Sequence, residues 1–364
     1  MGALSDLIIA DFSRVLAGPY ATMMLADFGA EVIKIERPKT GDDTRSWGPP
    51  FDADGISTYF QSINRNKSGI TADLHTQEGI NKACEIIRKS SVVIENFAPG
   101  TMEEFGFGYE ELAKENPSLI YLSISGFGTH ENARQLPGYD LLVQGMSGLM
   151  SITGEDSAHP TKVGVALVDV IAGLHSALAI TTALHHRDKT GLGQKIEINL
   201  MSSALSAMVN QSTAYAGAGI VPVALGNAHP SIAPYESFAA KDGHLIIAVG
   251  NDKQFSALVN VLGLHPDNRF STNTERVKNR EALHTLIAQA LSSRTVATAS
   301  AELMAAGVPA GPINSIKGAI ETAAKLGLNP IIDIDGSKTI ANPINFSLTP
   351  VEYRAAPPSL GQDD

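Results

Sequence analysis

The first part of the chain alternates short apolar runs with segments of helical spacing, and this alternation constrains the fold most. Pro19 suits a first helical turn before ATMMLADF, and Gly29 suits the end of that helix. Because strand–helix–strand repeats build parallel sheets, the pattern predicts a doubly wound, Rossmann-like α/β domain. The predicted strands are DLIIADF, EVIKIER, SGITADL, VVIENF, LIYLSISGFG and GQKIEINL.

A long apolar segment, residues 163–184, follows this alternation. It predicts a helix from Asp169 to about Arg187. A carboxylate at the centre of a bilayer would cost about 2.5–3.5 kcal/mol on insertion scales, so a buried helix of a globular domain is favoured over a membrane span.

A change in composition near residue 217 predicts a domain boundary. AGIVPVALGNAHPSIAP is rich in glycine, proline and small residues and has no hydrophobic period. We predict a large domain over 1–216, completed by about 325–364, and a linker with a small α+β domain over 217–324. The small domain should contain a hairpin that turns at Lys241-Asp242-Gly243, and helices near 252–262, 280–292 and 295–306.

Charge and motifs exclude several classes of function. The net charge of −11 disfavours nucleic acid as a partner. A single cysteine, Cys84, precludes an internal disulfide, and with no signal peptide evident we expect a cytoplasmic protein. The glycine fingerprint of dinucleotide-binding domains, a P-loop and metal-ligand spacing are all missing from the sequence.

Two acidic residues open apolar helical segments and are candidates for chemistry. Asp169 has apolar neighbours on both sides and either caps the long helix or acts there as a nucleophile or base. Asp140, after Pro137-Gly138, is read as a cap or first-turn acid, and Tyr139 as a packing aromatic.

Two further sets of residues suggest ligand contacts. The loop Gly226–His229 is either a plain linker or a mobile loop whose N–H groups meet an oxyanion. The carboxyl ends of parallel strands bind ligands in such folds, and a phosphate-rich ligand needs a few basic groups there. The basic residues near predicted strand ends are Arg14, Lys34, Arg37, Arg65 and Lys67.

An ordered set of segments resembles one family, the class III (CaiB/BaiF) CoA-transferases, which includes formyl-CoA transferase. The resemblance runs from residue 11 to about 314 and implies a Rossmann-like domain, a small domain and an interlocked homodimer. The matching segments are RVLAGPYATMMLADFGAEVIKIER, NKSGITADLHTQEG, VVIENFAPGTMEEFGF, LSISGFG, PGYD, GVALVDVIAGLHSALAITTALHHRDKTGLGQKIEINL, GNAHPSIAPYESF and GVPAGPI.

The resemblance also implies roles for individual residues. It places the nucleophilic aspartate at Asp169, a second active-site carboxylate at Asp140, and a loop over the reacting group at Gly226, Asn227, Ala228 and His229. Coenzyme A is implied as a substrate, with no permanently bound cofactor and no metal. The implied contacts to coenzyme A are Val15, Leu16, Arg37, Ala72, Leu74, His75, Asn96, Phe97, Ala98 and Tyr139.

The sequence departs from formyl-CoA transferase at positions that matter for substrate. His75, Glu104 and Pro137 stand where that enzyme has basic residues, and only Gly226 remains of its run of four glycines. These departures weigh against formate and oxalate. Succinyl-CoA as donor and a small dicarboxylic acid as acceptor are expected instead, because they are common in the family.

The expected chemistry is covalent transfer through Asp169. A carboxylate is ionised at pH 7 and needs no general base to attack a thioester. One alternative is a 2-methylacyl-CoA racemase, but Tyr139 stands at the position of its catalytic histidine and is a poor base at neutral pH. The other is a CoA-binding protein without turnover, against which the retention of both Asp169 and Asp140 argues.

Overall fold

The structure is a computed structural model and describes residues 2–364. The chain divides into two compact units. The first runs to Leu149 and resumes over Val163–Ile220 and Asn329–Asp364. The second comprises Met150–Lys162 and Val221–Leu328.

A six-stranded parallel sheet forms the centre of the first unit. Its order is β3-β2-β1-β4-β5-β6, so successive strands grow outward first on one side of β1 and then on the other. This doubly wound arrangement confirms the predicted fold class. The strands are β1 (Ile8–Asp11), β2 (Glu31–Glu36), β3 (Lys67–Thr71), β4 (Val92–Glu95), β5 (Ile120–Ser125) and β6 (Gln194–Asn199).

Helices cover both faces of this sheet. Adjacent strand residues are buried in different apolar clusters: Ile9 and Ile94 on one face, Ala10 and Val93 on the other. The helices of the first unit are α1 (Ala17–Asp27), α2 (Thr58–Gln61), α3 (Gln77–Lys89), α4 (Thr101–Glu104), α5 (Tyr109–Glu115), α6 (Asp140–Met146), α7 (Leu167–Thr190), α8 (Leu200–Ala207) and α9 (Val209–Ala218).

Two helix boundaries differ from the sequence prediction. Helix α7 begins at Leu167, so Asp169 is its third residue rather than its cap. The segment MSSALSAMVNQSTAYAG, residues 201–217, predicts a single helix from its sequence. The structure has two helices there, because Val209 has a φ of +38°, which a continuous helix does not accommodate.

Helix α7 is long and apolar enough to cross a membrane by length and composition alone, with a mean hydropathy of 1.7 over its most apolar stretch. Half of that stretch is buried within the protein. Ala172, Ile180 and Ala183 pack in the same apolar cluster as the sheet. This burial is that of a core helix, as the sequence predicted.

The second unit is built on a three-stranded antiparallel sheet of order β7-β8-β9. The predicted hairpin is present as β7 (Tyr235–Ala240) and β8 (Gly243–Ala248), and β9 (Ala310–Pro312) adds a strand that the sequence did not predict. Phe238, Leu245 and Ile287 lie in its core. Its helices are α10 (Asp252–Leu262), α11 (Asn273–Lys278), α12 (Arg280–Leu291), α13 (Val296–Ala305) and α14 (Ile316–Lys325).

The last segment of the chain returns to the first unit. It forms the hairpin β10 (Ile331–Ile334) and β11 (Ser337–Ile340) and then runs without regular structure. The Arg354 guanidinium donates to the carbonyl of Ala26 in the last turn of α1 and to those of Gly29 and Ala30 just beyond it. The tail also lies along β3, the edge strand, where Asp363 N–H donates to Gly69 O at 2.9 Å.

Candidate functional site

The residues expected to contact coenzyme A follow the carboxyl ends of five neighbouring strands. Because parallel strands share a direction, these ends meet at one edge of the sheet, and the strand order reverses between β1 and β4. Val15 and Leu16 follow β1, Arg37 follows β2, Ala72, Leu74 and His75 follow β3, Asn96, Phe97 and Ala98 follow β4, and Tyr139 lies in the connection after β5.

Direct contacts join two of these segments across the reversal point. Arg14 N–H donates to Asn96 Oδ1 at 2.8 Å, and Asn96 Nδ2 donates back to Arg14 O at 2.7 Å. The Arg14 guanidinium lies 5.1 Å from the centroid of the Phe97 ring. The loops after β1 and β4 are therefore held as one piece.

The turn after β1 is strained and is held by a buried carboxylate. Val15 has a φ of +67°, which is unusual for a β-branched residue. Its N–H donates to both oxygens of Asp42 at 3.2 and 3.3 Å, and Asp42 also accepts from Lys34 Nζ at 2.9 Å. Burial opposes ionisation of Asp42, but Lys34 and Thr44 outweigh it and hold the pKa of Asp42 below its ordinary value.

Three of the five basic residues expected near the ligand are instead buried in ion pairs. Lys34 pairs with Asp42, Lys67 with Asp11, and Arg65 with Asp27. Arg65 and Lys67 lie at or before the start of β3, and the Lys67 ammonium reaches Asp11, the last residue of β1, at 3.2 Å. These side chains stabilise the fold and are not available for phosphate.

Arg14 and Arg37 remain partly exposed at the site edge. Both guanidinium groups pair with the Asp43 carboxylate, Arg14 at 3.6 Å and Arg37 through a short contact. His75 packs edge-on against Phe105, and Glu104 is exposed in α4. Arg14 and Arg37 are thus two basic groups that this edge can offer to an anionic ligand.

Asp140 and Asp169, far apart in sequence, meet at the start of α7. Asp140 Oδ1 accepts hydrogen bonds from Val168 N–H at 2.8 Å and Asp169 N–H at 3.2 Å. The N-cap residue of α7, Ala166, makes no side-chain cap. The interpretation of Asp169 as a cap is therefore wrong, because a carboxylate from α6 caps this helix instead.

The Asp169 carboxylate is buried with no partner of its own. The residue is 9% exposed, and within residues 2–364 no hydrogen bond or ion pair reaches its side chain. Burial, followed by the negative charge of Asp140, raises the pKa of Asp169 to about 7. Full ionisation at pH 7, which the sequence argument assumed, is thus not met in the unliganded protein.

Tyr59 and Gln144 belong to this site and were missed by the sequence analysis. Burial raises the pKa of the Tyr59 hydroxyl to about 12, and the charges of Asp169, Asp140 and Asp42 add to that rise. Gln144 donates to Asp140 Oδ2 at 2.6 Å. Neither residue stands in a recognisable motif; the spacing of four residues between Asp140 and Gln144 was the one available signal.

The loop Gly226–His229 lies in the second unit. Three of its N–H groups are occupied within that unit: Gly226 donates to Gly154 O, Ala228 to Leu225 O, and His229 to Tyr235 O. Among the described residues, the N–H of Asn227 alone has no acceptor in this loop. Of the four N–H groups in the loop that were candidates for contact with an oxyanion, only that of Asn227 is therefore free among the described residues.

The doubly wound sheet and the acidic pair define an α/β protein with a buried carboxylate at the start of α7. A sequence model described as CoA-transferase family III matches residues 4–364. The chain therefore belongs to CoA-transferase family III, as the resemblance implied.

Named relatives agree with this family. A succinate–glutarate CoA-transferase from Agrobacterium fabrum is 43% identical over 99% of this chain and 93% of its own. A succinyl-CoA:glutarate CoA-transferase from Mus musculus is 38% identical over 100% of this chain and 85% of its own. An acetyl-CoA:oxalate CoA-transferase from Acetobacter aceti is 38% identical over 95% of this chain and 90% of its own.

A solved structure supports the fold. The crystal structure of a CAIB/BAIF family protein from Brucella suis has a TM-score of 0.89 and 42% sequence identity, covering 99% of this chain and 97% of its own. The relatives named here are CoA-transferases, so the transferase interpretation is favoured over the racemase.

Proposed function

We propose that this CoA-transferase moves coenzyme A from succinyl-CoA to a small dicarboxylic acid, with glutarate as the first candidate. The main observation in support is that the Asp169 carboxylate is buried and has no partner at the ligand-binding edge of the sheet. The relatives named for succinate and glutarate support the choice of donor and acceptor.

The proposed reaction has four acyl-transfer steps. The Asp169 carboxylate attacks the thioester carbonyl of succinyl-CoA, the C–S bond breaks, and CoA thiolate leaves an aspartyl–succinyl anhydride. The thiolate then attacks the Asp169 carbonyl, releases succinate and forms an aspartyl thioester. Glutarate attacks that thioester to give a second anhydride, and the thiolate attacks its glutaryl carbonyl. Glutaryl-CoA leaves and the Asp169 carboxylate is restored.

The surroundings of Asp169 suit this nucleophile. A carboxylate without hydrogen-bond donors is poorly solvated, so its attack on a carbonyl loses little stabilisation. Asp140 occupies the N–H groups of Val168 and Asp169 at the start of this helix. For coenzyme A, Arg14 and Arg37 are the proposed partners of its phosphates, with Asp43 exchanged for the ligand.

We propose that the active form is a homodimer in the cytoplasm. Large apolar side chains are exposed on the surface of the single chain, which a second copy would bury. Leu178 of α7 is 65% exposed, and Val209 and Tyr215 of α9 are 66% and 64% exposed. A sedimentation measurement that gives a monomer at working concentration would contradict this assembly.

The function is tested by incubating the protein with succinyl-CoA and, in parallel, glutarate, mesaconate, citramalate and oxalate. Glutaryl-CoA should form in amounts equal to the free succinate, with no free coenzyme A accumulating. Omission of acceptor is the control. If no acceptor causes succinyl-CoA to be consumed, or if succinyl-CoA is only hydrolysed, the proposed function is wrong.

Removal of the Asp140 charge should shift the pH dependence of transfer. Because that charge helps to raise the pKa of Asp169, Asp140→Asn should lower it, and kcat should persist to lower pH than in the unchanged protein. The shift of the acid limb is expected to be about one pH unit. Asp188→Asn, an exposed change on the same helix, should leave the limb in place. An acid limb that moves upward in Asp140→Asn would contradict the charge argument.

A further inference from the structure

Gln144 lies on α6, one turn beyond Asp140, and its side chain is completely buried. Its amide nitrogen donates to Asp140 Oδ2 at 2.6 Å and to Val165 O at 3.3 Å. Its amide oxygen accepts from Val163 N–H at 2.9 Å. Both protons of the amide and its oxygen are thus used, which fixes the orientation of the group.

Gln144 is hydrogen-bonded both to the carboxylate that caps α7 and to the backbone segment that precedes α7. One oxygen of Asp140 is held by Gln144, and the other accepts from the N–H groups of Val168 and Asp169. Val163 and Val165 form the segment that leads into the same helix. A single amide therefore fixes both the capping carboxylate and the backbone that enters the helix of Asp169.

We propose that Gln144 is a positioning residue for CoA transfer: it holds Asp140 against the N-terminus of α7 and so sets where Asp169 stands. The inference rests on the proposed role of Asp169. A buried amide can also serve the fold alone, in which case its loss would lower stability and leave the pH dependence of transfer unchanged.

Ionisable groups lie near Gln144 on three helices. Asp140 stands on its own helix and Asp169 on α7, and Tyr59 of α2 interacts with both carboxylates. Helix α8, which packs against α6, has no ionisable side chain, and His175 farther along α7 is bonded to Ser203 Oγ. A new carboxyl group at position 144 would therefore titrate mainly against Asp140.

Gln144→Glu is the informative variant because a protonated glutamate can reproduce two of the three hydrogen bonds of the amide and loses only the 3.3 Å donation to Val165 O. Its O–H can donate to Asp140 and its carbonyl can accept from Val163 N–H, whereas the ionised form repels Asp140. We expect kcat relative to the unchanged protein to rise at least ~10-fold between pH 8.5 and pH 6, as the two carboxyls come to share one proton.

Gln144→Leu serves as the matched variant, because its side chain neither ionises nor forms hydrogen bonds. It should lower kcat by about 10- to 100-fold at every pH, with KM for succinyl-CoA within about threefold, because a displaced nucleophile affects the chemical step. A flat Gln144→Glu ratio across pH, or unchanged kcat in both variants, would overturn the proposal. Thermal unfolding of each variant at each pH shows whether the fold is kept.

A measurement on the unchanged protein covers the case in which neither variant folds. The amides of Val163, Val168 and Asp169 should be protected together in hydrogen exchange. Exchange of the Val163 amide at the rate of an unstructured chain would overturn the proposal. Activity of the unchanged protein is measured first, so that absence of any transfer counts against the proposed function and not against Gln144.

Discussion

Asp169→Asn is expected to lower kcat for CoA transfer by at least about 10⁴-fold, because an amide has no anionic oxygen to attack the thioester. The substitution keeps the size of the side chain at a buried position, and KM for succinyl-CoA should change little. Initial rates with succinyl-CoA and glutarate measure the loss. Peptide mass spectrometry after hydroxylamine or borohydride treatment should find a modified Asp169 in the unchanged protein only.

The matched control is Asp188→Asn, which makes the same chemical change at an exposed position of α7. It should transfer coenzyme A at nearly the normal rate. Transfer by Asp169→Asn within tenfold of normal, or an adduct on a different residue, would mean that another group is the nucleophile.

The Asp169→Asn substitution is also expected to stabilise the folded protein at pH 8, by about 4 kcal/mol. The pKa of Asp169 is raised to about 7 from 3.8 in the unfolded chain, so ionisation favours unfolding. The penalty is absent below pH 3.8, grows between pH 4 and 7, and is complete above pH 7. Because asparagine carries no charge, the Asp169→Asn protein does not have this ionisation penalty.

Urea unfolding of the two proteins at several pH values measures this difference. The free energies of unfolding should converge near pH 4, where the folded carboxyl is protonated, and separate as pH rises. Asp188→Asn again provides the comparison, with no such divergence expected. A constant difference from pH 4 to pH 8 would show that Asp169 is not destabilised by its surroundings.

Sequence reasoning predicted the sheet and most helices because local periodicity determines them. Ile9 and Ala10 point to opposite faces that are both covered, which produces the continuous apolar runs of a parallel strand. Thr76 caps α3 by accepting from Gly79 N–H, as a threonine directly before a helix commonly does. Asp140 and Asp169 were both selected, and the structure brings them together.

What the sequence could not predict depends on contacts between distant segments. The cap of α7 comes from Asp140, which is 29 residues before Asp169, so no helix-start pattern contains it. Lys34 and Lys67 look like surface lysines until the sheet places Asp42 and Asp11 beside them. The raised pKa of Asp169 likewise follows from burial, which a linear pattern does not report.

The return of the last segment to the first unit has a consequence for synthesis on the ribosome. Arg65 and Asp27 form a buried pair early in the chain, but Asn342 Nδ2 also donates to Asp27, and Asn66 N–H donates to Ala355 O. Until those late residues emerge, β3 stays an uncovered sheet edge, and such edges associate with other chains. The strands of the sheet are therefore synthesised well before the segment that covers β3. During that interval the β3 edge of the nascent chain is exposed, and chaperones that bind strand edges have the longest time to act.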